Sequence, residues 1–122
     1  MLTEADAKKL AHEVIEAWNS HDLDRIIEHY AEDVTLTSPL AAQKLGDPTV
    51  RGKAALRAYF AIGLELFPEL HFDLVDVMWG VSSVVLYYVN QRGTMTAEVM
   101  EIAPSGRVAR VLANYSNGPR PK

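Results

Sequence analysis

Cysteine is absent from this sequence of 122 residues, which excludes disulfide bonds, thiolate nucleophiles and thiolate metal ligands. Basic residues are also scarce: 12 Lys and Arg stand against 16 Asp and Glu, and the formal net charge is −4. They are scattered along the chain, apart from the segment Arg120-Pro121-Lys122. Because nucleic-acid binding needs clustered cations, we predict no nucleic-acid partner.

Long apolar runs are missing as well. The longest one, Val84 to Val89, is far too short to span a bilayer as a helix. The N-terminal segment Met1 to Asp6 is polar and acidic, and it lacks the basic region and the apolar run of a signal peptide. We therefore expect a soluble cytoplasmic protein with no membrane partner.

Common catalytic and cofactor motifs do not occur either. There is no Gly-x-Ser-x-Gly elbow, no phosphate-binding loop and no dinucleotide fingerprint. The four histidines form no i, i+4 pair and no His-Glu-x-x-His motif: His12, His21, His29 and His71. We predict neither a metal site nor a cofactor.

Hydrophobic residues make up 48% of the chain, which is enough for a core, and the length fits one domain. We predict a single domain over residues 1–116 and a flexible tail over residues 117–122, where glycine and proline are frequent. Pro68 divides the domain into two patterns. Apolar residues have helical spacing before it, and strand-like segments follow it.

The first part of the chain predicts two consecutive helices. Thr3 and Asp6 resemble a capping box, and the segment Asn19-Ser20-His21 ends the helix that begins there. Asp22 is a suitable N-cap for a second, short helix. The apolar face of the first helix has i, i+3, i+4 spacing and contains Ala7, Leu10, Ala11, Val14, Ile15 and Trp18.

A strand and a third helix complete the part before Pro68. The β-branched segment Val34 to Thr37 predicts a strand that ends at Pro39. We predict a loop from Leu40 to Arg51, because this stretch contains Gly46-Asp47-Pro48. The third helix is expected to run from about Gly52-Lys53 to Pro68.

Four strands are predicted after Pro68, separated by turn signals at Gly80, Arg92-Gly93 and Pro104-Ser105-Gly106. Because the gaps are short, neighbouring strands should be antiparallel. The expected architecture is an α+β cone, in which three N-terminal helices pack on a curved, mainly antiparallel sheet that encloses a pocket. The strands are Leu70 to Trp79, Ser82 to Gln91, Thr94 to Ala103 and Arg107 to Ser116.

The chain resembles the nuclear transport factor 2-like superfamily and, within it, the SnoaL-like and ketosteroid isomerase-like proteins. This resemblance implies a cone with an apolar pocket, cofactor-independent chemistry on small molecules, and a homodimer formed through the outer face of the sheet. The segments that carry it are Ala17 to Asp24, Tyr30 to Val34, Ser38-Pro39 and Arg51 to Leu56.

The ketosteroid isomerases provide a test of the activity. Their catalytic tyrosine, aspartate base and protonated acid align with Val14, Ser38 and Glu98. A valine cannot donate a hydrogen bond, and a serine without a neighbouring base cannot abstract a proton from carbon. We therefore expect no steroid isomerisation by that mechanism. Glu98 remains as a candidate, since cyclase-like relatives are thought to rely on one carboxylate in an apolar pocket.

Glu98 is the predicted catalytic residue, because a carboxyl in an apolar cavity has a raised pKa and can act as an acid or a base near neutral pH. The alternatives are an exposed glutamate or a buried one that bonds a tyrosine. A two-residue turn at Arg92-Gly93 would place Tyr87 opposite Glu98, whereas a three-residue turn would bring Tyr88 to that face.

The predicted ligand-binding residues are Trp18, Ser38, Tyr59, Tyr87 and Tyr115. Trp18 and Tyr59 match wall positions of the family, and the resemblance turns Tyr115 inward. Two functions fit the chain. It is a SnoaL-like enzyme of the isomerase, cyclase or dehydratase type that acts on a small apolar oxygenated molecule, or it is a non-catalytic binding or dimerisation module of the same fold.

Overall fold

A computed structural model describes residues 1–117; of the tail predicted over residues 117–122, all but the first residue lies outside the described residues. The chain forms four helices, α1 Glu4–Ser20, α2 Leu23–Ile27, α3 Pro39–Leu45 and α4 Lys53–Leu66. It also forms six strands, β1 Tyr30–Thr37, β2 Thr49–Arg51, β3 Asp73–Trp79, β4 Ser83–Val89, β5 Met95–Ile102 and β6 Val108–Ser116.

Capping residues fix the ends of helices α1 and α2. Thr3 and Asp6 form the predicted capping box at the start of α1, and the side chain of Asp22 accepts hydrogen bonds from the first backbone N–H groups of α2. His21 ends α1 with φ of 61°. These caps satisfy backbone groups that a helix end leaves unpaired, so the sharp bend between α1 and α2 is fixed locally.

The strands form one sheet in the order β2-β1-β6-β5-β4-β3. All neighbouring pairs are antiparallel except β1 and β6. Helix α1 packs against β3, and α4 packs against β1, so the helices cover one face of the sheet and bury the core there. This arrangement confirms the predicted α+β class.

The prediction of a loop over Leu40 to Arg51 was wrong. That stretch contains α3 and the short strand β2. Ser38 caps α3 by accepting a hydrogen bond from the backbone N–H of Leu40 at 3.1 Å, Pro39 occupies the first turn, and Gly46 ends the helix with φ of 75°. A cap, an early proline and a terminal glycine are the usual signals of a helix; here Pro39 had been interpreted only as the end of a strand.

The turn between β4 and β5 has three residues and sets the register of the sheet. Asn90 and Thr94 pair through a backbone hydrogen bond of 2.8 Å, and Gly93 adopts a φ of 77°. The side-chain oxygen of Asn90 accepts hydrogen bonds from the backbone N–H groups of Arg92 and Thr94 and from the Thr94 hydroxyl. This side chain therefore holds the longer of the two turns that the sequence allowed.

Candidate functional site

An open cavity of about 810 Å³, counting the space at its mouth, lies between the inner face of the sheet and helices α3 and α4. Most of its wall is apolar. Phe60 and Leu36 contribute from α4 and β1, and Phe72 comes from the segment before β3. A concave, mostly apolar wall with a few polar groups is typical of sites that bind small organic molecules.

Glu98 projects into this cavity from the middle of β5. Its neighbours across the sheet are Leu86 on β4 and Ala113 on β6, so the carboxyl stands on an apolar surface. Burial raises the pKa of Glu98 to about 7, because the ionised form loses hydration there. The side chain keeps partial exposure because the cavity is open, yet no residue between 1 and 117 hydrogen-bonds its carboxyl.

Three tyrosines surround Glu98. Burial raises the pKa values of Tyr30, Tyr88 and Tyr115, and the negative charge of Glu98 raises each of them further. For Tyr115 the result is about 12. The phenols therefore stay protonated near neutral pH and remain hydrogen-bond donors. Glu98 is the group in the cavity whose charge changes in that range.

Tyr88, and not Tyr87, faces the cavity. In the observed register Tyr88 pairs with Thr96, while Tyr87 pairs with Ala97 on the outer face. The placement of Tyr87 opposite Glu98 was therefore wrong, because the three-residue turn shifts every β4 side chain to the other face. Tyr88 is buried and lines the cavity.

Ser38 joins two tyrosines near the mouth. Its hydroxyl lies 3.3 Å from that of Tyr115. Burial raises the pKa of the neighbouring Tyr59, and the Ser38 side chain partly offsets this effect. Ser38 is buried and lines the cavity with both tyrosines. The residue is thus a helix cap and part of a hydroxyl cluster at once. These hydroxyls can donate to a ligand oxygen by rotating out of their mutual hydrogen bonds.

Trp18 forms part of the cavity wall. Its ring meets Phe60 edge to face at a centroid distance of 4.7 Å. Burial raises the pKa of the neighbouring Tyr30, and the Trp18 side chain partly offsets this effect. Trp18 therefore connects α1 to the polar groups near Glu98.

Asn19 and His21, which follow Trp18 in the chain, hold one wall of the cavity in place. This role was not predicted from the sequence. The amide of Asn19 donates to the carbonyl of Phe72 at 3.0 Å and accepts from its N–H at 2.8 Å. His21 contacts the carbonyl of Leu70 at 2.6 Å. Since Leu70 and Phe72 line the cavity, these bonds hold that wall in place. The sequence showed polar side chains at the end of a helix, but it did not show the distant residues to which they bond.

Among residues 1–117, no group of three or more His, Asp and Glu side chains is placed to hold a metal ion. No helix within the same residues is long and apolar enough to cross a membrane. The polar groups that line the cavity are one carboxyl, several hydroxyls, the Gln91 amide and, at the mouth, Lys44 and Arg92.

Comparison with known proteins identifies the family. A model of the SnoaL-like domain matches residues 11–115. A SnoaL-like protein of unknown function from Burkholderia thailandensis is 38% identical, with a TM-score of 0.92, over 94% of this chain and 98% of that chain. No curated protein matches the chain.

Two further solved structures are similar in fold alone. The epoxide hydrolase/cyclase-like enzyme SalBIII, which has a role in pyran ring formation in the polyether salinomycin, is 20% identical, with a TM-score of 0.74, over 96% of this chain and 95% of that chain. An NTF2-like protein from Cytophaga hutchinsonii is 13% identical, with a TM-score of 0.71, over 95% of each chain. From the domain match and the relative with 38% identity we conclude that this chain belongs to the SnoaL-like family.

Proposed function

We propose that the protein binds a small, apolar, oxygenated molecule in its cavity and that Glu98 transfers a proton to or from it. One observation carries the proposal: the Glu98 carboxyl lies in the cavity with a pKa of about 7 and without a hydrogen-bond partner among residues 1–117. A carboxyl that bonds none of these residues is free to hydrogen-bond a bound ligand, as a donor when protonated and as an acceptor when ionised. A ligand oxygen or an acidic ligand C–H would supply the missing interaction.

The other cavity residues take binding roles in this proposal. Tyr115 and Ser38 donate hydrogen bonds to a carbonyl, ether or hydroxyl oxygen of the ligand, while Trp18 and Tyr59 pack against its apolar body. Tyr88 takes the inward position first assigned to Tyr87. Proton transfer at a carbon or oxygen next to such a group needs no cofactor, and it corresponds to isomerase, cyclase or dehydratase chemistry.

We further propose that two copies associate through the outer face of the sheet. Half-buried apolar side chains from three neighbouring strands lie in one row there, Val85, Val99 and Leu112. Tyr87 lies beside this row, and an ion pair of 3.5 Å between Arg110 and Glu101 flanks it. An apolar centre with a polar rim is typical of protein interfaces. Sedimentation of the wild type and of a Val99→Lys variant tests the association.

The alternative is a non-catalytic binding module. The observation in its favour is that the Ser38 hydroxyl is already used: it caps α3 and lies 3.3 Å from the hydroxyl of Tyr115. In addition, no second carboxyl or imidazole lines the cavity within residues 1–117. Glu98 would then only hydrogen-bond the ligand.

A comparison of two isosteric variants separates these functions. The panel contains apolar ketones, epoxides, lactones and hydroxy compounds; binding is measured by thermal shift and conversion by mass spectrometry. Glu98→Gln should lose at least about 100-fold in turnover and still bind, since general acid–base catalysis contributes on the order of 10²–10⁴. Glu101→Gln, on the same strand but facing outward, is the matched control. Full turnover by Glu98→Gln contradicts the acid/base role, and binding without conversion by the wild type favours the module.

A further inference from the structure

A second, polar recess adjoins the mouth of the cavity. It lies between the start of α3 and the turn that joins β4 to β5, and it shares Leu40, Gln91, Arg92 and Tyr115 with the cavity. Its other walls carry amide and hydroxyl groups, from Gln43 and Thr94 among others. The two spaces therefore differ in chemistry: the wall of the cavity is mostly apolar, and the wall of the recess is mostly polar.

The charged side chains at the opening where the cavity meets the recess are both positive. Lys44 lines the cavity and Arg92 lines both spaces. None of the ion pairs formed within residues 1–117 includes either of them. The chain as a whole carries a net charge of −4, and the side chains of Lys44 and Arg92 place positive charge at this opening.

Tyr115 connects the recess with the interior. It is 41% exposed and lines both spaces. Burial, the largest effect, raises its pKa; Glu98 raises that pKa further, while Arg92 lowers it. The phenol therefore lies within the electrostatic influence of both groups. A single molecule could reach Glu98 at one end and Arg92 at the other while it passes Tyr115.

We propose that the ligand is amphipathic: its apolar body enters the cavity toward Glu98, and an anionic group, a carboxylate or a sulfonate, stays in the recess on Arg92. The inference rests on the proposed function, because it names the class of molecule that the cavity takes. A guanidinium binds a planar or tetrahedral oxyanion through paired N–H groups. The ionised Glu98 repels an anion from the deep end, so the orientation of the ligand is fixed by charge.

Two matched fluorescent probes test the orientation. Anilinonaphthalene sulfonate carries the anion, and phenylnaphthylamine has the same aromatic rings without it. Both are titrated into the wild type, Arg92→Gln and Arg25→Gln at moderate salt. Arg25 is exposed on α2 and lines neither space, so its variant removes the same charge elsewhere. The turn survives in Arg92→Gln because Asn90 bonds the backbone of residue 92 and not its side chain.

The expected result is selective. Arg92→Gln should weaken binding of the sulfonate probe about fivefold or more and change binding of the neutral probe less than twofold, while Arg25→Gln changes neither. Equal effects of Arg92→Gln on both probes, no effect on either, or an equal loss in Arg25→Gln would overturn the anion site and leave binding in the cavity standing. If the wild type binds neither probe, the cavity is not an apolar binding site, and the proposed function fails together with the inference.

Discussion

Replacing Glu98 by glutamine should change how the stability of the protein depends on pH. In the folded protein the pKa of Glu98 is raised from 4.5 to about 7 by burial. The folded state therefore holds a proton that the unfolded chain has already released between these values. Because the unfolded state binds fewer protons there, the free energy of unfolding falls as pH rises through this interval and levels off above it.

The magnitude follows from the size of the shift. At about 1.4 kcal/mol per pKa unit, the rise to about 7 corresponds to roughly 3 kcal/mol for a carboxyl fully withdrawn from water. The cavity is open, so hydration restores part of this, and we expect a loss of about 1–3 kcal/mol from pH 4 to pH 8. Glutamine has a similar shape and cannot ionise, so Glu98→Gln should lack this loss.

Urea unfolding followed by circular dichroism at several pH values measures this effect. Wild type and Glu98→Gln should have similar stability near pH 4, and the variant should be more stable by about 1–3 kcal/mol at pH 8. Other titrating groups are common to both proteins and cancel in the difference. Glu101→Gln, on the exposed face of the same strand, should parallel the wild type. Parallel curves for wild type and Glu98→Gln would refute the burial of the carboxyl.

Substitutions at Gly63, Asn90 and Ser38 test the scaffold of the site. Gly63→Ala should stabilise α4 by about 0.5–1 kcal/mol, since an added Cβ meets no atom within 4 Å. Gly63 lines the cavity, so Gly63→Phe should abolish binding of the neutral probe. Asn90→Ala should lower the free energy of unfolding in urea by about 2–3 kcal/mol, because the four hydrogen bonds of the Asn90 side chain are lost. The control Asn114→Ala, on the exposed face, should lower it by less than about 0.5 kcal/mol. Ser38→Ala should cost about 1 kcal/mol through the lost cap of α3, and Ser38→Thr, which keeps the hydroxyl, should recover part of it.

Much of the fold was predictable because its signals are local. The capping box of Thr3 and Asp6, the N-cap at Asp22 and the turn glycines act within a few residues of themselves. Helix α3 was missed even though its signals are local too. Ser38 and Pro39 serve equally well to end a strand and to begin a helix, and in this chain they do both.

The candidate site was predictable only in part. The family resemblance turned Glu98 and Tyr115 inward, and both line the cavity. The choice between Tyr87 and Tyr88 depended on one residue of turn length, which the Asn90 side chain decides by filling the turn with hydrogen bonds. The role of Asn19 depended on Phe72, 53 residues away in the chain.

The sequence by itself determined helices α1, α2 and α4, the four strands after Pro68 and the absence of thiol chemistry, because periodicity, caps and composition are properties of short segments. The tertiary structure alone decided which tyrosine faces the cavity, and it alone gave Glu98 a pKa of about 7. It also placed Arg92 beside Tyr115 at the mouth. Burial and charge proximity arise only when distant segments meet, so no local pattern could have specified them.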